Sequence, residues 1–244
     1  MKKKKNKKQS LIISYGILFI LLFTLFIIYQ QGQNNHYLNG HTLPQTTQHL
    51  KIHEKGIDVS VWQKNIDWHK VKNQGFSFAI IRTSYGWSKQ NIDQRLTDHL
   101  QGAKKAGLKV GAYHYSYATT IEEAKKEAEL FISTLEGTTW DFPVYFDMED
   151  DCQLALSNQL RTQIAITFLE TVKDAGYTVG LYANQHWLET KLDMSQLEQY
   201  EIWIASYTHT NKYAGKYGMW QYTSDGHIDG IEGRVDLNLL YKNY

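Results

Sequence analysis

The chain has 244 residues, with 26 lysines and arginines against 25 aspartates and glutamates, and a formal net charge of +1. Its 42% hydrophobic and 14% aromatic content excludes collagenous, coiled-coil and wholly disordered proteins, and its single cysteine excludes a disulfide framework or a thiolate metal cluster. Six lysines lie within residues 1–8, and without them 20 bases remain against 25 acids. The body therefore lacks the basic character of a nucleic-acid-binding domain.

The first predicted element is the hydrophobic segment 11–29, which follows a basic segment at residues 1–10. Its 19 uncharged residues would form a helix about 28 Å long, enough to cross a hydrocarbon layer about 30 Å thick. The lysines before it predict a cytoplasmic amino terminus and a single-pass anchor with the body outside the cell. A cleaved signal peptide is the alternative, although the segment exceeds the usual length of about 7–15 residues. The body is exported in both cases.

Residues 30–55 are rich in Gln, Asn, His and Thr and have no apolar periodicity, which predicts a polar linker between membrane and body. The irregular spacing of its histidines disfavours a metal site. The lone Cys152 is expected to be a small buried residue and not a nucleophile. A cysteine-poor exported protein of this kind is consistent with the surface of a Gram-positive cell.

Residues 56–244 form the predicted body, in which eight apolar or β-branched runs indicate strands. These runs are Gly56–Ser60, Phe78–Thr83, Lys109–Tyr117, Phe142–Met148, Thr178–Ala183, Ile202–Tyr207, Met219–Tyr222 and a short one near Val235. The helices predicted after the first five runs are Asp67–Gln74, Asp93–Ala106, Ile121–Leu135, Asn158–Ala175 and Gln185–Lys191. Gly107 and Gly176 are predicted helix ends, and Ser157 or Asn158 is a predicted helix cap.

Five strand–helix units followed by three strands predict an α/β fold, an irregular TIM-like parallel barrel written (β/α)5(β)3, preceded by the transmembrane helix. A regular eightfold barrel typically needs about 250 residues, and the shorter body agrees with the missing helices. An open doubly wound sheet is the alternative, but it would carry a glycine-rich phosphate loop after its first strand. The sequence GIDVSVWQ at residues 56–63 contains no such loop.

Four carboxylates fall near predicted strand ends, where barrel active sites lie: Asp58, Asp147, Glu149 and Asp236. Asp147 and Glu149 are two residues apart, so on a strand they point to the same face, and their repulsion raises the pKa of one of them. A carboxylic acid with a raised pKa suits proton donation to a glycosidic bond. Metal binding is the rival use, but no histidine lies at useful spacing, so no metal and no cofactor is expected.

Aromatic residues on or beside the predicted strands favour a sugar-binding cleft, because their flat apolar faces and polar edges suit pyranose rings. Alternate residues of a strand point to opposite faces, so part of this set must pack against helices. The residues assigned to substrate binding are Trp62, Tyr115, Tyr145, Tyr182, Trp203, Trp220 and Gln221. His114 is expected to be a hydrogen-bonded core residue rather than a catalytic base.

Taken together, the motifs of residues 56–238 resemble the Chalaropsis-type lysozymes, glycoside hydrolase family 25. The motifs are GIDVSVWQ (56–63), FAIIRTSYG (78–86), GLKVGAYHYS (107–116), PVYFDMED (143–150), VGLYAN (179–184), IWIASY (202–207) and MWQYTSDGHIDGIEGRVDLN (219–238). The resemblance implies an N-acetylmuramidase that cuts the β-1,4 bond between N-acetylmuramic acid and N-acetylglucosamine in peptidoglycan. It also implies the irregular barrel, and we expect a monomer that binds glycan strands and no nucleic acid.

By position in these motifs, the resemblance implies that Glu149 is the general acid and that Asp147 orients or stabilises a charged intermediate. Asp58 and Asp236 correspond to the other two acids of the site. The second-strand motif departs from the usual Lys-x-Ser/Thr-Glu-Gly, because Arg82 replaces the Lys and Tyr85 the Glu. This departure concerns fine specificity more than activity. A chitinase-like barrel glycosidase and a non-catalytic glycan-binding protein are the alternative functions.

Overall fold

The computed structural model describes residues 45–48 and 50–244. Strands β1 to β8 of the barrel are Glu54–Val59, Phe78–Tyr85, Lys109–Tyr115, Val144–Asp147, Val179–Asn184, Glu201–Ala205, Met219–Gly226 and Val235–Leu240. Helices α1 to α5 are Trp68–Asn73, Leu96–Lys105, Ile121–Leu135, Asn158–Asp174 and Gln185–Thr190. Each predicted strand and helix of the body is confirmed, and the predicted bounds differ from these by at most four residues.

The eight strands close into a barrel in the order β8-β1-β2-β3-β4-β5-β6-β7. Neighbours from β1 to β7 are parallel, whereas β8 is antiparallel to both β7 and β1. The prediction of a parallel barrel is therefore wrong for the last strand. Residues 227–234, which join β7 to β8, are too few for the crossover of a dozen or more residues that parallel strands need, and the chain turns there at Gly230 and Gly233, both with positive φ.

The reversal of β8 brings its first residues to the mouth of the barrel where the other strands end. Asp236, the second residue of β8, pairs directly with Asp58 in β1. A parallel β8 would instead have placed its first residues at the opposite end.

Local sequence explains where the helices begin and end. The Ser157 side chain accepts a hydrogen bond from the Leu160 amide and caps α4. The predicted ends at Gly107 and Gly176 are confirmed, with φ angles of 75° and 96° that only glycine adopts readily.

Large inward-facing side chains fill the barrel interior, and outward-facing residues pack against the helices. Phe78, Tyr145 and Trp203 lie in the interior and are almost completely buried. Gly180 permits this packing, because a Cβ at that position would collide with the Tyr145 ring. His114 faces outward and is fully buried, with Nδ1 2.8 Å from the Ser84 hydroxyl, so its predicted role as a hydrogen-bonded core residue is confirmed.

Two expectations differ from the structure at the surface. Gln45–Thr46 forms a short parallel strand with Thr210–Asn211, so part of the predicted linker 30–55 pairs with the body ahead of the predicted boundary at residue 56. Cys152 is exposed rather than buried, because Gln153 is the buried residue of its 3₁₀ turn.

The predicted basic segment 1–10 and hydrophobic segment 11–29 lie outside the described residues. Among the residues that are described, the helices are too short or too polar to span a bilayer.

Candidate active site

The four predicted acids meet in one cleft of about 230 Å3 at the mouth of the barrel. Asp58 is the penultimate residue of β1, and Asp147 is the last residue of β4. Glu149 follows two residues later, and Asp236 arrives from the reversed strand β8. We call this cleft, defined by these four residues, the carboxylate cleft.

Asp58 is held by two amide side chains. Its Oδ2 accepts hydrogen bonds from Gln221 Nε2 at 2.9 Å and Asn238 Nδ2 at 2.7 Å. The Gln221 carbonyl oxygen in turn accepts from the hydroxyls of Tyr182 and Tyr207, at 2.9 and 2.7 Å. Burial raises the pKa of Asp58 well above its usual value, the charge of Asp236 adds to this, and the two amides oppose it. The network fixes the Asp58 side chain toward the cleft.

Asp147 is buried without a donor for one of its oxygens. It is 5% exposed, and its Oδ1 has no hydrogen-bond partner among the described residues. Burial raises the pKa of Asp147 well above its usual value, and the nearby charge of Glu149 raises it further. A ligand that places an N–H group against this oxygen would satisfy it and favour the ionised form.

Glu149 retains its proton to higher pH than an ordinary glutamate. Burial raises its pKa, a hydrogen bond from Asn184 opposes this rise, and the charges of Asp236 and Asp150 add to it. The Asn184 Nδ2 lies 3.3 Å from Glu149 Oε2 and orients the carboxyl. A protonated, oriented carboxyl at the cleft is what a general acid requires.

Replacing Asp236 with asparagine is expected to stabilise the protein at neutral pH. Burial raises the pKa of Asp236 from 3.8 to about 6, so between these pH values the folded protein keeps a proton that the unfolded chain releases. The free energy of unfolding therefore falls as the pH rises through this window. We expect Asp236→Asn to raise the free energy of unfolding by about 1 kcal/mol at pH 7, measured by urea unfolding. This increase should become smaller as the pH is lowered towards 4.

The exposed Asp229 in the connection between β7 and β8 provides the control, because Asp229→Asn removes a carboxylate that is exposed to water and lies outside any helix. A gain for Asp236→Asn that is as large at pH 4 as at pH 7 would contradict the electrostatic cause.

Five of the residues predicted to bind substrate line the carboxylate cleft: Trp62, Tyr115, Tyr182, Trp203 and Gln221. Trp203 is 1% exposed, and its Nε1 donates to Asn238 Oδ1 at 2.8 Å. Trp62 lies on the turn after β1 and is 76% exposed. The cleft therefore has a fixed aromatic floor and an open aromatic rim.

The other two residues predicted to bind substrate, Tyr145 and Trp220, do not line the cleft. Tyr145 faces inward but lies two residues before Asp147, one layer deeper in the barrel, with its ring 5.2 Å from that of Trp203. Trp220 faces the helices, because its neighbour Gln221 takes the inward direction, and its Nε1 donates to the Ser206 carbonyl at 2.8 Å.

Several residues of the cleft were missing from the predicted set. Arg82, Tyr113 and Tyr207 line it, while Asn184 and Asn238 orient its carboxylates. Alternation along β8 could have found Asn238, two residues beyond Asp236 on the same face. Asn184 is the last residue of β5 and could have been found by the rule that identified the acids.

A larger cavity of about 680 Å3 lies at the other end of the barrel, where β6 begins and β8 ends. Its lining includes Glu201 and Lys242, which form an ion pair with each other. None of the four predicted acids lines it, so the carboxylate cleft remains the candidate active site.

Comparisons with known proteins find a matching family model and similar relatives. The model described as "Glycosyl hydrolases family 25" matches residues 57–231. The chain is 30% identical over 192 residues to the uncharacterized protein YegX of Escherichia coli K12, covering 76% of this chain and 68% of that protein. It is 29% identical over 185 residues to an autolytic lysozyme of Clostridium acetobutylicum, covering 75% of this chain and 55% of that protein.

The fold is also similar to that of a solved autolysin. The modular autolysin LytC of Streptococcus pneumoniae, solved in complex with a synthetic peptidoglycan ligand, matches with a TM-score of 0.69 and 26% sequence identity. The match covers 77% of this chain and 46% of the LytC chain.

Proposed function

The chain belongs to the glycosyl hydrolases of family 25 and is a lysozyme-type glycoside hydrolase, and we propose that it cleaves the β-1,4 bond between N-acetylmuramic acid and N-acetylglucosamine in peptidoglycan. The observation that carries this proposal is the meeting of four carboxyls in one aromatic-lined cleft. Such a cleft offers both a proton donor for a glycosidic oxygen and negative charge for the cation that forms. The peptidoglycan ligand of the similar LytC supports the substrate class.

We propose Glu149 as the general acid. Its proton passes to the glycosidic oxygen, the C–O bond breaks, and the leaving sugar departs with a new hydroxyl. The same carboxylate then takes a proton from the water that completes hydrolysis, which restores the acid. The raised pKa of Glu149 supports this role.

We propose that Asp147 acts on the 2-acetamido group of the sugar whose bond is cut. Its free carboxylate oxygen accepts the acetamido N–H, and the acetamido carbonyl oxygen attacks the anomeric carbon to form a cyclic oxazolinium ion. The negative charge of Asp147 stabilises this cation until water opens it. Two displacements at one carbon retain its configuration. Asp58 and Asp236 add negative charge nearby.

Digestion of purified peptidoglycan by the full chain tests this function. We expect muramic acid at the new reducing ends, identified by borohydride reduction and mass spectrometry. NMR during the reaction should show the β-anomer first. Glucosamine at the reducing ends would contradict the proposed bond. An α-anomer formed first, or a sugar ester trapped on Asp147, would contradict the substrate-assisted route.

We also propose that the enzyme works outside the cell, held to the membrane by residues 11–29. The support is the sequence itself, a lysine cluster followed by 19 uncharged residues. Protease treatment of intact cells that digests the barrel but spares an amino-terminal tag would support this topology, and full protection of the barrel would contradict it.

A further inference from the structure

A second groove adjoins the carboxylate cleft at the mouth of the barrel, and we call it the side groove. Its volume is about 300 Å3, and its walls include Trp62, Tyr85, Ile92 and Tyr117. Trp62 and Arg82 line both the side groove and the carboxylate cleft. The two spaces are therefore neighbours that share part of their walls.

Aromatic rings run from the cleft into the side groove. The ring centres of Tyr115, in the cleft, and Tyr117 lie 5.3 Å apart, and those of Tyr117 and Tyr85 lie 6.2 Å apart. Both pairs are in edge-to-face contact. Trp62, the residue between the two spaces, is 76% exposed, and Tyr117 is 38% exposed. These rings present apolar faces with hydroxyl edges, the combination that suits a sugar ring.

The charged residues of the side groove neutralise each other. The Arg82 guanidinium donates to Asp93 Oδ2 from Nε at 2.9 Å and from Nη2 at 2.8 Å, and the two side chains are 12% and 0% exposed. The Tyr85 ring lies 5.3 Å from the Arg82 guanidinium carbon. A glutamate at position 85 would add an unbalanced negative charge. With tyrosine the groove favours an uncharged ligand over a phosphate or a charged peptide.

The walls of the side groove are held in place by buried carboxylates. Asp93 also accepts a hydrogen bond from the Val61 amide at 3.0 Å, beside Trp62. Glu127 is fully buried and accepts from the Tyr117 amide at 2.9 Å and the Ser116 hydroxyl at 2.7 Å. A groove whose walls are already ordered loses less entropy when a ligand binds.

We propose that the side groove binds a further sugar ring of the glycan strand whose bond is cut in the carboxylate cleft. This inference rests on the proposed function. The cleft, at about 230 Å3, is smaller than the ~300–1,000 Å3 of most ligand sites, whereas a glycan strand continues beyond the bond that is cut. Tyr85 and Tyr117 stack on the added ring, and Trp62 separates it from the ring in the cleft.

Binding to glycans of two lengths tests the proposal. The probes are glycan strands freed of peptide by an amidase and the disaccharide N-acetylglucosaminyl-N-acetylmuramic acid, titrated into full-length protein carrying Glu149→Gln to prevent cleavage. We expect Tyr85→Ala and Tyr117→Ala each to weaken strand binding about tenfold, equivalent to ~1.4 kcal/mol, and to leave disaccharide binding unchanged. Tyr85→Phe keeps the ring and should keep strand affinity.

Trp87→Ala is the matched control, because Trp87 is an exposed aromatic residue near Tyr85 that does not line the side groove. Equal strand affinity in Tyr85→Ala and Trp87→Ala would overturn the proposal. So would an equal loss on strand and disaccharide. Failure of the proposed function is a separate result, in which the unmodified protein releases no fragments from peptidoglycan.

Discussion

Replacing Glu149 with glutamine is expected to lower kcat on peptidoglycan about 10³-fold, since general acid–base catalysis contributes about 10²–10⁴-fold. Glutamine keeps the size of the side chain and can still pair with Asn184, but it has no proton to give to the glycosidic oxygen. Binding does not need that proton. The variant should therefore lose clearing in a peptidoglycan zymogram and still co-sediment with insoluble peptidoglycan.

Asp151 supplies the control for this experiment. It is an exposed acid two residues further along the same loop and does not line the carboxylate cleft, so Asp151→Asn should clear peptidoglycan normally. Full activity in Glu149→Gln would overturn the assignment of the acid. Clearing lost in both variants would indicate that the loop, rather than the proton, is needed.

The fold was predictable because the sequence alternates between the hydrophobic periodicity of strands and that of helices. Strand runs and helix patterns follow one another five times, and glycines at 107 and 176 mark helix ends that the structure confirms. The direction of β8 was not predictable from periodicity, since an apolar run has the same pattern in either direction. The short connection 227–234 indicates that β8 is antiparallel to β7, because it has no room for a crossover.

The carboxylates of the candidate site were predictable because their positions follow from strand ends. The aromatic residues were harder, because packing between layers uses the same rings as sugar binding. Tyr145 and Trp220 are strand residues like Tyr182 and Trp203, but depth in the barrel and the face of the strand keep them from the cleft. The pair Arg82 and Asp93 also required the fold, since it joins residues 11 positions apart across a loop.

Replacing Asp147 with asparagine is expected to lower kcat by a factor of about 10²–10³, the range seen when one stabilising group is removed from a transition state. Asparagine has nearly the same shape but cannot place a negative charge beside the oxazolinium ion. The same substitution should raise the free energy of unfolding at pH 7 by about 1 kcal/mol. Burial and the charge of Glu149 raise the pKa of Asp147 well above its usual value, so ionising this carboxyl in the folded protein costs free energy that a neutral amide does not.

The opposite signs of these two effects separate catalysis from folding. Substitution of a residue that supports the fold lowers activity and stability together. Removal of a carboxyl whose role is its charge lowers activity but raises stability. Urea unfolding and initial rates on peptidoglycan, measured for Asp147→Asn beside Asp151→Asn, give both quantities. A fall in both for Asp147→Asn would mean that the Asp147 carboxyl supports the barrel mouth rather than the reaction.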